Sequence, residues 1–331
     1  MDSSPSPVAA VSTPARSARR RVLDVVGQAG IVVPFLITLV ALALISPPFL
    51  RPQNLANILD QQSGIIIVAA AGTLVLIAGG IDLSVGAVYG LAAAVSTQLV
   101  GSVGVPLAIL TGLGLGLLAG TANGVLVAKF RINALIATLA MTYVVTGIGA
   151  ILTRGNLIVA FDHPEFQAFA GTRILGITSA AWLMIVIAIA MAILLARTTF
   201  GRYVYATGGN PEAARLAGVR TDTVRIATFA LSGTAAALAG VLDGSRVLSA
   251  QASSGGSFLT FTVLAGIVVG GTSIMGGEGA VWRTVVGCLF IALIGNGFNL
   301  LGLDPFYQQV TLGVILLLAV GLDAWSRRGS R

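Results

Sequence analysis

The sequence predicts an all-α polytopic membrane protein with about ten transmembrane helices and both termini in the cytoplasm. Three observations carry this. Residues Leu83 to Ala128 form an uncharged run of 46 residues between Asp82 and Lys129. As one helix that run would be roughly 70 Å long against a hydrocarbon core of about 30 Å, so it must cross, turn and cross again; the turn is Gly101-Ser102-Val103-Gly104-Val105-Pro106. Of 331 residues, 56% are hydrophobic and 9% charged, with a mean hydropathy of +0.95, whereas soluble domains carry about 25% charge. Forty-two glycines and few aromatics fit helices packed through small residues rather than barrel strands.

The net charge of +7 does not mark a nucleic-acid binder, because the arginines fall in short clusters between apolar spans, as in the inner loops of membrane proteins. His163 is the only histidine, Lys129 the only lysine and Cys288 the only cysteine. This composition leaves no internal disulfide, no thiolate cluster and no histidine-built metal site. No metal or cofactor is expected.

In chain order, residues 1–21 read as a disordered tail, rich in Ser, Pro and Ala and ending in Arg16, Arg19, Arg20 and Arg21. No small-residue cleavage site follows the first apolar segment, so it is expected to be retained as a helix. Residues 22–326 form a single transmembrane domain, and 327–331 a short tail. Apolar windows and breakers place the spans near 29–47, 62–79, 84–101, 105–127, 133–153, 179–196, 225–244, 258–276, 284–302 and 306–323. With the N-terminus inside, fifteen of the nineteen Lys and Arg residues face the cytoplasm and only Arg51, Arg154, Arg173 and Arg246 lie outside. The outer connection 154–178, with Asp162-His163-Pro164-Glu165-Phe166, is expected to hold a short helix on the membrane surface.

Two glycine-rich breaks interrupt the apolar pattern. At the first, Gly79-Gly80 weakens the helix by about 1 kcal/mol per glycine relative to alanine. Asp82 and Ser84 can then accept backbone N–H groups at the start of the next helix, close to Gly86. A carboxylate at membrane depth also marks a functional position, substrate or gate contact among the possibilities. The second break carries Gly270, Gly271 and Thr272, then Gly276, Gly277 and Gly279, with Glu278 expected to play a part like that of Asp82. Paired interrupted segments in two halves of a chain point to a transport pathway.

The inner loop 197–224 contains a short-helix signature. Gly208-Gly209 ends one element, Asn210 is a good N-cap and Pro211 suits the first helical position. Glu212 lies in the first turn, where its charge favours the positive end of the helix dipole. Ala213, Ala214, Leu216 and Ala217 continue the helix to a left-handed exit at Gly218. A helix of about seven residues does not hold alone in water and needs a surface to lie against.

Gly-Gly-Ile-Asp-Leu-Ser-Val-Gly at 79–86, the Glu-Ala-Ala-x-x-x-Gly pattern at 212–218 and Gly-Gly-Thr-Ser at 270–273 occur here in one order and spacing. From about Asn54 to Asp323 the chain resembles a membrane permease subunit of the ribose/monosaccharide class of bacterial ABC importers. The resemblance implies a multi-pass protein of the bacterial inner (plasma) membrane that is not itself an enzyme. Its expected partners are one or more ATP-binding subunits, a periplasmic or lipid-anchored substrate-binding protein, a second permease subunit (homodimer or heterodimer) and membrane lipid, with no nucleic acid. It casts Gly209, Asn210, Glu212, Ala213, Ala214 and Gly218 as the contact to the ATPase. Gly79, Gly80, Asp82, Ser84, Gly86, Gly270, Gly271 and Thr272 become gate or helix-break residues. Thr260 and Thr262 depart from the family, which usually carries an acidic pair there.

Lys129 has no Gly-x-x-x-x-Gly before it, so the chain has no P-loop and takes its energy from elsewhere. Asn123, Asn296 and Asn299 are candidate pathway residues for a sugar or sugar-like solute, and Asn296 and Asn299 share a helix face; each can equally serve interhelical hydrogen bonding. Other cargoes in the same class are a furanosyl signalling compound, inositol, a nucleoside or a branched-chain amino acid. The rival reading is an ion-coupled secondary transporter, which needs ionisable groups inside its spans.

Overall fold

The computed structural model describes residues 30–328, and all of its long elements are helices. The predicted N-terminal tail and the last residues of the C-terminal tail lie outside these. The helices are α1 (Val32–Ile45), α2 (Pro52–Ile77), α3 (Val85–Val103), α4 (Val105–Ala128), α5 (Ala134–Thr153), α6 (Pro164–Gly171), α7 (Ser179–Arg197), α8 (Thr199–Gly209), α9 (Pro211–Leu216), α10 (Thr221–Val247), α11 (Gly256–Val269), α12 (Val281–Leu300) and α13 (Pro305–Arg328). Seven of them, α2, α3, α4, α5, α7, α10 and α12, are long and apolar enough to cross a membrane. The remaining three expected spans coincide with shorter apolar helices: α1, α11 and the Phe306–Leu318 part of α13.

Two expected boundaries are corrected. The span placed at 258–276 stops at Val269, because Gly270 and Gly271 end the helix and residues 270–280 are non-helical. The span placed from residue 62 begins at Pro52, in the first helical position. Its polar first turns stay helical because neighbours satisfy them: Asn54 exchanges two hydrogen bonds with Asn296, at 2.9 and 3.1 Å, and Asp60 Oδ1 accepts from the Thr178 hydroxyl at 2.8 Å.

α10 is the hub, packing along α4, α3 and α2. Its approach to α4 is close because small residues meet backbone: a Cβ on Gly233 would strike the Gly116 carbonyl and the backbone of Gly120. Between helices in lipid, where no hydrophobic effect drives association, this backbone proximity and its dispersion contacts hold the pair. The face of the core between α2, α3 and α10 is filled by Ile66, Ile67, Val88, Ala92, Ala236 and Val241, all at most 2% exposed.

At the end of α10 away from α9, the connection 154–178 folds back on the bundle. The two-residue ladder β1 (Ile158–Val159) pairs antiparallel with β4 (Ser249–Ala250), and β2 (Arg173–Ile174) pairs with β3 (Ile177–Thr178). The expected surface helix is α6, but it docks on protein: Phe166 is fully buried, and Ser245 of α10 donates to the Phe166 carbonyl at 2.6 Å while accepting from Ala170 N–H.

This packing separates two glycines that look alike in sequence. Gly233→Ala should destabilise by about 1–3 kcal/mol through overpacking. Gly114→Ala, whose Cβ would meet nothing within 4 Å, should be neutral or stabilising by up to about 1 kcal/mol. Thermal unfolding in detergent reads both.

Candidate functional site

The two breaks end their helices in the same way. At the end of α2, Gly79 has φ +80, Gly79 N–H bonds the Leu76 carbonyl and Gly80 N–H the Val75 carbonyl. At the end of α11, Gly271 also has φ +80, with Gly271 N–H on Val268 and Thr272 N–H on Ile267. Each is a Schellman stop that needs a left-handed residue, which glycine supplies without penalty. A short unwound segment then leads into the next helix. The echo read in the sequence is therefore a matched pair of helix ends.

Past the first stop, Asp82 organises the unwound segment. Its Oδ1 accepts from Ser84 N–H at 3.0 Å and from Ser84 Oγ at 2.6 Å, and its Oδ2 accepts from Ser232 of α10 at 2.8 Å. Asn123 of α4 donates to Ser84 Oγ at 2.8 Å. Three donors thus reach one carboxylate, and Asn123 supports one of them, so that the unwound segment, α4 and α10 meet around it. Ser84 does not cap α3 with its side chain, contrary to expectation. The cap comes from across the fold instead: Gly86 N–H bonds Thr260 Oγ1 at 3.2 Å. The freed carbonyls of Ile81 and Leu83 accept from Thr138 and Thr142 of α5.

Glu278 does not repeat the role of Asp82. It is exposed, and its backbone carbonyl, accepting from Ser273 N–H at 3.0 Å, is what closes the second unwound turn.

The short helix α9 forms as its sequence dictates. Asn210 Oδ1 accepts from Glu212 N–H at 3.1 Å and Ala213 N–H at 3.0 Å, and Gly218, at φ +86, ends the helix with Val219 N–H on the Ala214 carbonyl. Ala214 is its only buried residue, while Leu216 is 83% exposed. Arg202, Arg215 and Arg220 are exposed around it. The element expected to end at Gly208-Gly209 is the helix α8; its start is signalled by Thr198, whose hydroxyl accepts Gly201 N–H, and its course by the inward residues Gly201, Val204 and Thr207 at helical spacing.

α11 borders two neutral cavities and two that carry ionisable groups, Asp82 in the wall of one and Asp243 with Arg246 in the wall of the other. One neutral cavity lies beside the first break, against Leu83 and Ala87, and carries the hydroxyls of Thr142, Thr146, Ser253, Ser257 and Thr260. The other neutral cavity carries the carboxamides of Gln61, Gln62, Asn296, Asn299 and Gln308 together with Thr262. Neither has an ionisable side chain in its wall. Of the candidate pathway residues, Asn296 and Asn299 line the second cavity, whereas Asn123 is buried in the Asp82 network and lines neither.

A multi-span helical bundle with paired glycine breaks, neutral polar cavities and a short capped helix exposed at one end is the architecture of a membrane permease component. The family model described as branched-chain amino acid transport system / permease component matches residues 54–320, and the chain belongs to that family. It is 37% identical over 295 residues to the ribose import permease protein RbsC of Escherichia coli K12, covering 88% of this chain and 92% of that protein. The ribose import permease protein RbsC of Bacillus subtilis strain 168 is 38% identical over 88% of this chain and 91% of its own length. The L-arabinose ABC transporter permease protein AraH of Azospirillum brasilense is 37% identical over 99% of this chain and 96% of its own. No solved structure matches the chain.

Removing one donor from the carboxylate tests the network. Ser232→Ala should cost about 1–3 kcal/mol, the range for a buried polar group that loses a partner, and Ser232→Thr should recover most of it; the thermal midpoint of the purified protein is the readout.

Proposed function

We propose that this chain is the permease subunit of an ATP-binding-cassette importer that carries a sugar or sugar-like solute across the bacterial inner membrane. The observation that carries the reading is the pair of uncharged cavities on either side of α11. Hydroxyls and carboxamides both donate and accept, which suits the hydroxyl groups of a neutral sugar. A zwitterionic amino acid needs charged partners in the wall, which these two cavities lack. Thr260 and Thr262 keep these walls neutral where the resembled family carries acids. The similarity to ribose and arabinose permeases points to the same cargo class.

On this reading ten segments cross the bilayer, the three shorter apolar helices included, and both termini lie in the cytoplasm, on the same side of the membrane as α9. An ATP-binding partner grips α9, a soluble binding protein delivers solute at the opposite end, and a second permease subunit completes the pathway. The exposed Leu216, the capped N-terminus and the surrounding arginines give α9 a surface that fits a groove on that partner. ATP-driven closure moves α9 as a rigid lever and switches the spans between outward-open and inward-open arrangements. Ion coupling fits poorly, since the two neutral cavities offer no carboxylate, while Asp82 and Asp243, in the walls of the others, are committed to Ser84 and Ser232 and to Arg246.

Reconstituted uptake of labelled D-ribose and L-arabinose, with L-leucine as the competing class, tests the cargo. Vanadate should stop transport and a protonophore at constant ATP should not; the reverse pattern would establish the ion-coupled rival. Glu212→Ala and Gly218→Pro should each abolish uptake while the protein still reaches the membrane, and normal uptake in both removes the lever.

A further inference from the structure

The three glycine-rich segments of this chain meet at one point. The carbonyl of Ile77, left without a partner at the end of α2, accepts from Gly277 N–H of the second break at 2.9 Å. Gly208, two residues before the Asn210 cap, lies so close that a Cβ there would overlap the same Ile77 carbonyl and approach Gly277 N at 2.7 Å. A Cβ on Gly277 would come within 2.9 Å of Gly209 Cα. One turn earlier on α8, the Tyr205 hydroxyl donates to the Gly279 carbonyl at 2.7 Å. Burial raises the pKa of that phenol, against a smaller opposing effect of Arg283, so it remains an O–H donor at neutral pH.

These contacts connect elements that the sequence keeps far apart. α8 and α9 are joined through Asn210 alone, in extended conformation, and Asn210 N–H bonds the Ala206 carbonyl of α8. Displacement of α9 therefore pulls directly on the end of α8 that touches both breaks. Close to those contacts, Thr207 of α8 and Thr272 of the second break are buried with hydroxyls that have no protein partner. Buried hydroxyls are normally bonded, so this arrangement leaves capacity that a second arrangement of the same segments can satisfy.

We propose that α8 gears α9 to both glycine breaks at once, with Tyr205 and Gly208 as the positioning residues that transmit its movement. Tyr205 holds the second break and Gly208 allows both breaks to seat on the helix. Because Gly277 also bonds Ile77, neither break moves without the other. The gear rests on the reading of α9 as the ATPase contact.

The test places a reporter in the second break of the assembled importer, with its ATP-binding and solute-binding partners. Met275 is 74% exposed and the single native cysteine, Cys288, is buried, so Met275→Cys is the site a maleimide labels. Its labelling rate is compared with ADP and with ATP plus vanadate, and the comparison is repeated with Tyr205→Phe and with Gly208→Ala added. A nucleotide response that shrinks about fivefold in Tyr205→Phe, the weight of one ordinary hydrogen bond, and further in Gly208→Ala, supports the gear. If Gly208→Ala does not assemble, Tyr205→Phe decides alone. A response of full size in Tyr205→Phe, or none without either change, overturns it. A change in basal labelling with the nucleotide response intact marks a purely structural bond and also overturns it. If no nucleotide-hydrolysing chain associates with the unmutated permease, the functional reading itself fails, and the gear with it.

Discussion

A helix that ends against packed protein leaves carbonyls that must find partners, and each buried one left unsatisfied costs about 1–3 kcal/mol. Two helices stop this way here, α2 at Ile77 and α11 at Val269. Glycine caps recover part of the hydrogen bonding at each end. At the end of α2 one more carbonyl, that of Ile77, is taken by Gly277 N–H of the second break. The two breaks therefore lie against each other, and that bond ties the segment after α11 to the end of α2.

The same constraint explains why so much of the chain is small. For the unwound residues 81–84 to find partners, α4, α5 and α10 must all approach within hydrogen-bonding distance of one short segment. The α4–α10 pair achieves this through Gly116, Gly120 and Gly233, which bring Asn123 and Ser232 to either side of Ser84 and Asp82. Larger side chains along that seam would move those donors away and leave the carboxylate exposed to hydrocarbon. Glycine content, read in the sequence as helix packing, also serves the electrostatics of one buried charge.

What was legible in the sequence was local. Asn210, Pro211 and Gly218 define α9 through contacts within eight residues, and the structure follows them bond for bond. Gly79 and Gly271 announced their breaks for the same reason. The failures were long-range. Ser84 was expected to cap α3, but its hydroxyl is committed to Asp82 and the cap arrives from Thr260, 174 residues away. Glu278 was matched to Asp82 by position in a glycine-rich string, yet it is exposed. α2 begins ten residues before its apolar window because Asn296 and Thr178 satisfy its polar turns, partners that hydropathy cannot see. α8 is written in Thr198 and in the inward spacing of Gly201, Val204 and Thr207, weaker signals than the glycine pair that ends it.

The threonines at 260 and 262 bear on how such a protein must be driven. Thr260 spends its hydroxyl on the Gly86 amide and the Gly256 carbonyl, and Thr262 on the Phe258 carbonyl, so each contributes a neutral surface to its cavity. A neutral wall binds a neutral polyol weakly through exchangeable hydrogen bonds, which favours passage over retention. It also gives no foothold to a proton or sodium ion. Asp82, the one carboxylate near the break, has both oxygens committed to Ser84 and Ser232. On the function proposed above, work enters mechanically, at a place where the bundle touches something outside itself. The exposed helix at Pro211–Leu216, bound through α8 to the one junction where both broken helices meet, is such a place.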